Sequence, residues 1–174
     1  MFRTTLMAAA ALALAAPAAA SAQAAKLNDA QIAHVAYTAG KIDIAAGKQA
    51  LAKSHDKAVR GFAQEMVRDH TAVNDQALAL VKKLGVTPQD NPTSASLQAA
   101  GSAKLKDLAK LSGRAFDRAY LTNEVAYHKT VNGALEGALI PSAQNPELKG
   151  LLQTGLKLFT EHQHHAEQLA AKLK

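Results

Sequence analysis

Residues 57–84 read KAVRGFAQEMVRDHTAVNDQALALVKKL, and the spacing of their apolar side chains decides the fold. Placed at about 100° per residue on a helical wheel, Val59, Phe62, Ala63, Met66, Val73, Ala77, Leu80, Val81 and Leu84 fall on one stripe. No alternation of the strand type runs through the segment. Near the centre of the stripe lies His70. The reading that makes this segment an amphipathic helix therefore also puts an imidazole inside a core.

Working outward, the same periodicity fills the chain from residue 28 to its end. A first helix spans about Asn28 to Lys53, with Asn28 or Asp29 able to cap its free N–H groups. Ser54 is the expected cap of the second helix, which runs to Leu84 and stops at Gly85. The polar segment Val86–Thr93 carries Pro88 and Pro92, both of which block helix continuation. Ser94–Leu111 reads as a further helix, and Ser112-Gly113 breaks the chain before a long third core helix ending near Ile140-Pro141. Asn145-Pro146-Glu147 supplies a cap residue, a proline at the first helical position and an acid in the first turn, so it starts the last helix. The expectation is an all-α fold, a ferritin-like antiparallel four-helix bundle with a helical crossover between helices 2 and 3. Ser94–Leu111 reaches about 27 Å at 1.5 Å per residue, enough to cross much of such a bundle. Up-down-up-down connectivity is the alternative.

The beginning of the chain follows different rules. Arg3, the apolar run Ala8–Ala16 and the small-residue stretch ending Ala20-Ser21-Ala22 form a secretory signal peptide, cleaved after Ala22. Residues 23–174 are then a single domain, expected in the periplasm or secreted. No later apolar run has the length of about 20 residues that a membrane-spanning helix needs. The chain has no Cys, which excludes disulfides, thiolate metal sites and thiol nucleophiles and leaves histidine and carboxylate chemistry. A formal charge of +6, three Tyr, four Phe and no Trp offer few stacking platforms, so a nucleic-acid partner is not expected.

The informative residues are the polar ones on the buried stripes. Asp43 falls in the stripe of the first helix, His70 in the second, Glu124 and His128 in the third and His162 in the last. Counted at 1.5 Å per residue, Asp43 lies at a depth of about 16 Å, His70 about 24 Å, Glu124 about 17 Å, His128 about 22 Å and His162 about 16 Å. All five therefore share one slab near mid-bundle. Tyr120 and Tyr127 can complete that layer with their hydroxyls. Two readings stay open: a transition-metal site of Asp43, His70, His128 and His162 with Glu124 as a fifth or supporting group, or an ion-paired layer, Asp43 with His70 or His162, that only fixes helix register. Glu161 and His164 have the Glu-x-x-His spacing of di-iron proteins, but the wheel turns both away from the core. His165 lies at the stripe's edge, His34 and His55 read as exposed, and Asp69 flanks the stripe, placed to orient the neighbours of His70 or to pair with Lys or Arg across the groove. No nucleophile, oxyanion hole or cofactor loop can be identified.

Three segments carry a family resemblance: Phe62–Thr71, Leu111–Tyr120 leading to His128, and Pro146–Lys149 with Glu161-His162. In this order they resemble the bacterial family called domain of unknown function 4142, over about residues 27–173. The resemblance implies an exported protein classed with the ferritin-like superfamily, often labelled a predicted outer membrane protein. It also implies that His70, His128 and His162 matter most, with Asp43 at the acidic position of the first helix. It brings no assigned activity. The two core-facing Glu-x-x-His pairs of di-iron oxidases are missing, and a barrel would need many alternating strands. If the inward layer binds a transition metal ion, its imidazoles and carboxylates suit zinc, iron, copper or nickel and do not choose among them.

Overall fold

The computed structural model describes residues 26–173, and among them every regular element is helical. The signal peptide expected at residues 1–22 lies outside the described residues. Helix α1 spans Asp29–Lys53. Asn28 caps it through a reciprocal box: the Asn28 side chain accepts from the Gln31 N–H at 2.9 Å, and the Gln31 side chain accepts from the Asn28 N–H at 3.1 Å. Helix α2 spans Lys57–Lys83. Its cap is Asp56, not the expected Ser54, because Asp56 stands immediately before the first helical residue and accepts from the N–H groups of Ala58 and Val59. Ser54 instead closes α1 and accepts from the Asp56 N–H at 3.2 Å. Gly85, at φ 65°, takes the left-handed conformation that turns the chain out of α2.

Helix α3 spans Pro92–Ala109, starting and ending two residues earlier than expected. Pro92 begins this helix instead of blocking it: Asn91 caps, Ser94 completes the box, and the proline occupies a position whose N–H has no helical partner. Helix α4 spans Gly113–Ala134 and continues through a π-helical turn, Leu135–Leu139, into a last turn at Ile140–Ser142. Helix α5 spans Pro146–Lys172 and is capped by Asn145, as the sequence signals. The Asp29 carboxylate accepts from the N–H groups of Gln144 and Asn145, both at 2.8 Å, and so ties the α4–α5 connection to the start of α1.

Two apolar clusters fix the directions of the helices. One gathers Ala46 and Ala50 of α1, Phe62 and Met66 of α2, Phe116, Tyr120 and Leu121 of α4, and Ala166 and Leu169 of α5. The other gathers Ile32 and Val35, Val81, Leu135 and Leu139, and Leu148, Leu152 and Phe159. Reading each helix from one cluster to the other, α2 and α4 run the same way, and α1 and α5 run opposite to them. α3 lies along α1 and returns the chain between the two pairs. Its approach is close because of Gly101, where a Cβ would stand 2.9 Å from Ile42. A similar absence at Gly40 admits Asn74 of α2, whose side chain would meet a Cβ at 2.3 Å. No described helix is long and apolar enough to cross a membrane.

Candidate metal centre

Between the two apolar clusters lies a layer of polar side chains. Asp43, His70, Glu124, His128 and His162 are each 3% exposed or less, so all five positions chosen by helical spacing converge in the core. His70 Nε2 stands 3.2 Å from Asp43 Oδ2, and His128 Nε2 stands 3.9 Å from the same oxygen. Neither pair is aligned as a hydrogen bond. The His70, His128 and His162 rings have centroids 5.3–5.7 Å apart. Phe159 stacks on His70 at 4.5 Å with an interplanar angle of 15°.

Two of the imidazoles are oriented by acceptors on their far side. His128 Nδ1 lies 2.9 Å from the Glu124 carbonyl oxygen, which places the proton on Nδ1 and leaves the Nε2 lone pair facing the layer. His162 Nε2 lies 3.1 Å from Asp69 Oδ2, so Nε2 donates there and the buried Nδ1 is the free nitrogen. This is the carboxylate-supported histidine that metal sites use to fix ring orientation. Asp69 is itself held by Arg68, at 2.6 and 2.9 Å, on its own helix and not by a base across the groove. Asp69 thus orients a histidine of α5.

The electrostatics follow from burial. Desolvation raises Asp43 well above the usual carboxylate range, with the neighbouring Glu124 raising it further by charge and hydrogen bond. Glu124 is pushed up to about 7, chiefly by burial. Two hydrogen-bonded carboxyls need a shared proton or a cation between them. His70 is lowered well below the ordinary imidazole value by burial and by the charges of His128 and His162. His128 is lowered to about 4 by burial. Burial therefore favours the neutral form of these imidazoles, leaving their lone pairs available to a ligand. Within the layer His70 Nδ1 and Nε2, His128 Nε2, His162 Nδ1 and Glu124 Oε2 have no hydrogen-bond partner.

These donors fit a metal ion. Two sets, His70 with His128 and His162, and Asp43 with Glu124 and His128, each bring three ligand atoms within 4.8 Å of one another. Tetrahedral ligands at about 2.0–2.1 Å from an ion lie about 3.3 Å apart, and the 3.2 and 3.9 Å separations around Asp43 Oδ2 bracket that spacing.

A third set, Glu65, Asp69 and His162, opens toward the surface. Glu65 was not selected by the wheel. Its partner is His165, whose Nδ1 lies 2.8 Å away, and the i, i+4 spacing of Glu65 and Asp69 along one helix face is the signal that could have found it. The tyrosines depart from expectation. The Tyr127 hydroxyl donates to the Ala39 carbonyl at 3.0 Å. That of Tyr120 is buried without a hydrogen-bond partner, although the charges of Glu124 and Asp43 reach it. Glu161 and His164 are exposed, as their positions on the wheel imply. His55 is exposed too, but His34 is half-buried, 3.8 Å from Asp90 at the α2–α3 connection.

The comparisons agree with the segments that carry the resemblance. A crystal structure of a DUF305 protein from Streptomyces coelicolor, itself described as secreted, superposes with a TM-score of 0.72 over 83% of this chain and 93% of its own, at 14% identity. That likeness concerns the fold. No curated protein matches the chain. The model of the family described as Domain of unknown function (DUF4142) matches residues 14–169, and the chain belongs to that family.

Proposed function

We propose that this protein is an exported, ferritin-like antiparallel four-helix bundle that binds a transition metal ion through Asp43, His70, His128 and His162, with Glu124 as a fifth or supporting group. The helix directions, with α3 as the crossover, support the bundle reading. The leader-like residues 1–22 and the secreted description of the structural neighbour support export.

The observation that carries the metal reading is the set of imidazole nitrogens and one carboxylate oxygen buried without hydrogen-bond partners. Each such group loses its water on folding, at about 1–3 kcal/mol when nothing replaces it. An ion can use one nitrogen of each imidazole together with a carboxylate oxygen. Imidazole with carboxylate suits zinc, iron, copper and nickel.

The test is titration of metal-stripped protein with zinc, iron(II), copper(II) and nickel, beside a variant carrying His70→Gln, His128→Gln and His162→Gln. The wild-type chain takes up one ion and the variant none. Equal uptake by both removes the site from this layer.

One observation favours a second reading. His70 and Asp43 already approach within 3.2 Å, and the Asp43 carboxyl is hydrogen-bonded to that of Glu124, so the layer has internal partners that can hold helix register. In that case the protein is a non-catalytic envelope binding or stress-protection module. The untagged protein as isolated would then carry no bound metal.

A further inference from the structure

On the Ile32 and Phe159 side of the polar layer lies a cavity of about 350 Å³. Packed interiors hold few voids larger than a water molecule, and small-molecule sites begin at roughly 300 Å³. All five helices line it, through residues that include Ala36, Ala77, Leu97, Ala134, Gly155 and Phe159. The space exists because Ala36, Ala77 and Gly155 stand on inward faces where a helix bundle ordinarily places Leu or Ile, while Ala134 lies at the exposed rim. The wall also includes the π-helical turn of α4, through Leu135 and Leu139. Such turns are frequent where a helix is reshaped around a site.

The lining defines the ligand class. It contains no Lys, Arg, His, Asp or Glu. Its polar members are Asn74, Thr93, Ser96 and Thr130; Asn74 donates to the Tyr37 carbonyl and Thr130 to the Ala126 carbonyl, while Thr93 and Ser96 sit at the exposed start of α3. A charge placed inside would find no partner, and burying it unpaired is heavily disfavoured. An apolar molecule would bury carbon against carbon.

We propose that this cavity binds an uncharged, lipophilic small molecule, seated against the Phe159 ring that stacks on His70. The ligand then lies one aromatic ring away from the histidine layer. The site is independent of whether a metal occupies that layer, and it is tested on metal-stripped protein.

The probe is N-phenyl-1-naphthylamine, titrated by fluorescence with decanol and decanoate as competitors. Binding saturates at one probe per chain; decanol displaces it, and decanoate does so at least ten-fold less effectively. Ala77→Leu narrows the interior and Ala134→Phe obstructs the exposed rim, where folding has little to lose; each weakens binding at least ten-fold with the helical circular dichroism unchanged. In the NMR spectrum the probe shifts the His70 ring signals and leaves those of exposed His55 in place. Unsaturable partitioning, unchanged affinity in both variants, or binding that leaves His70 unmoved overturns the proposal. Equal competition by decanoate overturns the uncharged class.

Discussion

The inner carboxyls, Asp43 and Glu124, and the outer ones, Glu65 and Asp69, stand beside histidines within the same helical framework, yet their surroundings differ. Inside, full burial drives both carboxyls toward the protonated form. Outside, the Asp69 carboxyl is held below its usual range, first by its hydrogen bond to Arg68 and also by His162, against the pull of partial burial. His162 belongs to both: its Nε2 faces Asp69 and its Nδ1 faces the core. The same residue types therefore form a support tied to Arg68 at the rim and a desolvated set of donors at the centre. Full burial at the centre and the Arg68 guanidinium at the rim decide which they are.

The largest effect that can break this comparison is energetic coupling inside the layer. Asp43→Ala and His70→Ala, measured singly and together by urea unfolding, are expected to be non-additive by about 1–3 kcal/mol, whereas Asp43→Ala with Glu65→Ala adds to within about 0.5 kcal/mol. Additivity of the first pair would mean that the inner groups do not act as one cluster.

The next effect is the pH dependence of metal-stripped protein. Glu124 has a folded value of about 7, above the ordinary 4.5, so its contribution is full below about 4.5 and is lost as pH rises through about 7. His128 has a folded value of about 4, below the ordinary 6.5, so its contribution is full above about 6.5 and is lost as pH falls through about 4. Each proton contributes a slope of up to about 1.4 kcal/mol per pH unit. Glu124→Gln is expected to remove the falling contribution between about pH 4.5 and 7, and His128→Gln the rising one between about pH 4 and 6.5. A profile between pH 4.5 and 7 that Glu124→Gln leaves unchanged would show that Glu124 is already ionised in the folded protein. Metal affinity should itself fall as pH drops through the imidazole range, because protonated histidine cannot ligate.

Smaller effects sharpen the outer half. Asp69→Asn keeps an acceptor for His162 and is expected to cost less than about 1 kcal/mol, with the loss shrinking as salt is added. If it instead destabilises the chain as strongly as Asp43→Ala, the rim is no mere support. Smallest of all, Glu161→Ala with His164→Ala on the exposed face should leave stability within about 0.5 kcal/mol and metal uptake unchanged. A loss of uptake would return the Glu-x-x-His pair to consideration.

Much of this was legible in the residues. The stripe from Val59 to Leu84, with its counterparts on the other helices, determines the helices and their buried faces, because burial on a helix repeats every 3.6 residues whatever the neighbour is. The five inward polar residues follow from the same periodicity, and their common depth follows from the fixed rise per residue. Caps were readable where the signal was local, as at Asn145-Pro146, and misread where two signals competed, as at Ser54 with Asp56 and at Pro92.

Only the tertiary structure decided what those side chains meet. The pairing of Asp43 with Glu124, the Asp69 support of His162, the diversion of the Tyr127 hydroxyl to Ala39 and the cavity beside Phe159 depend on how helices far apart in sequence approach and rotate. Such contacts are set by side-chain volume and helix separation summed over the whole core. The π-helical turn at Leu135–Leu139 belongs with them: no proline or cap in that stretch marks it, and it inserts an extra residue into a helix whose periodicity otherwise reads as continuous.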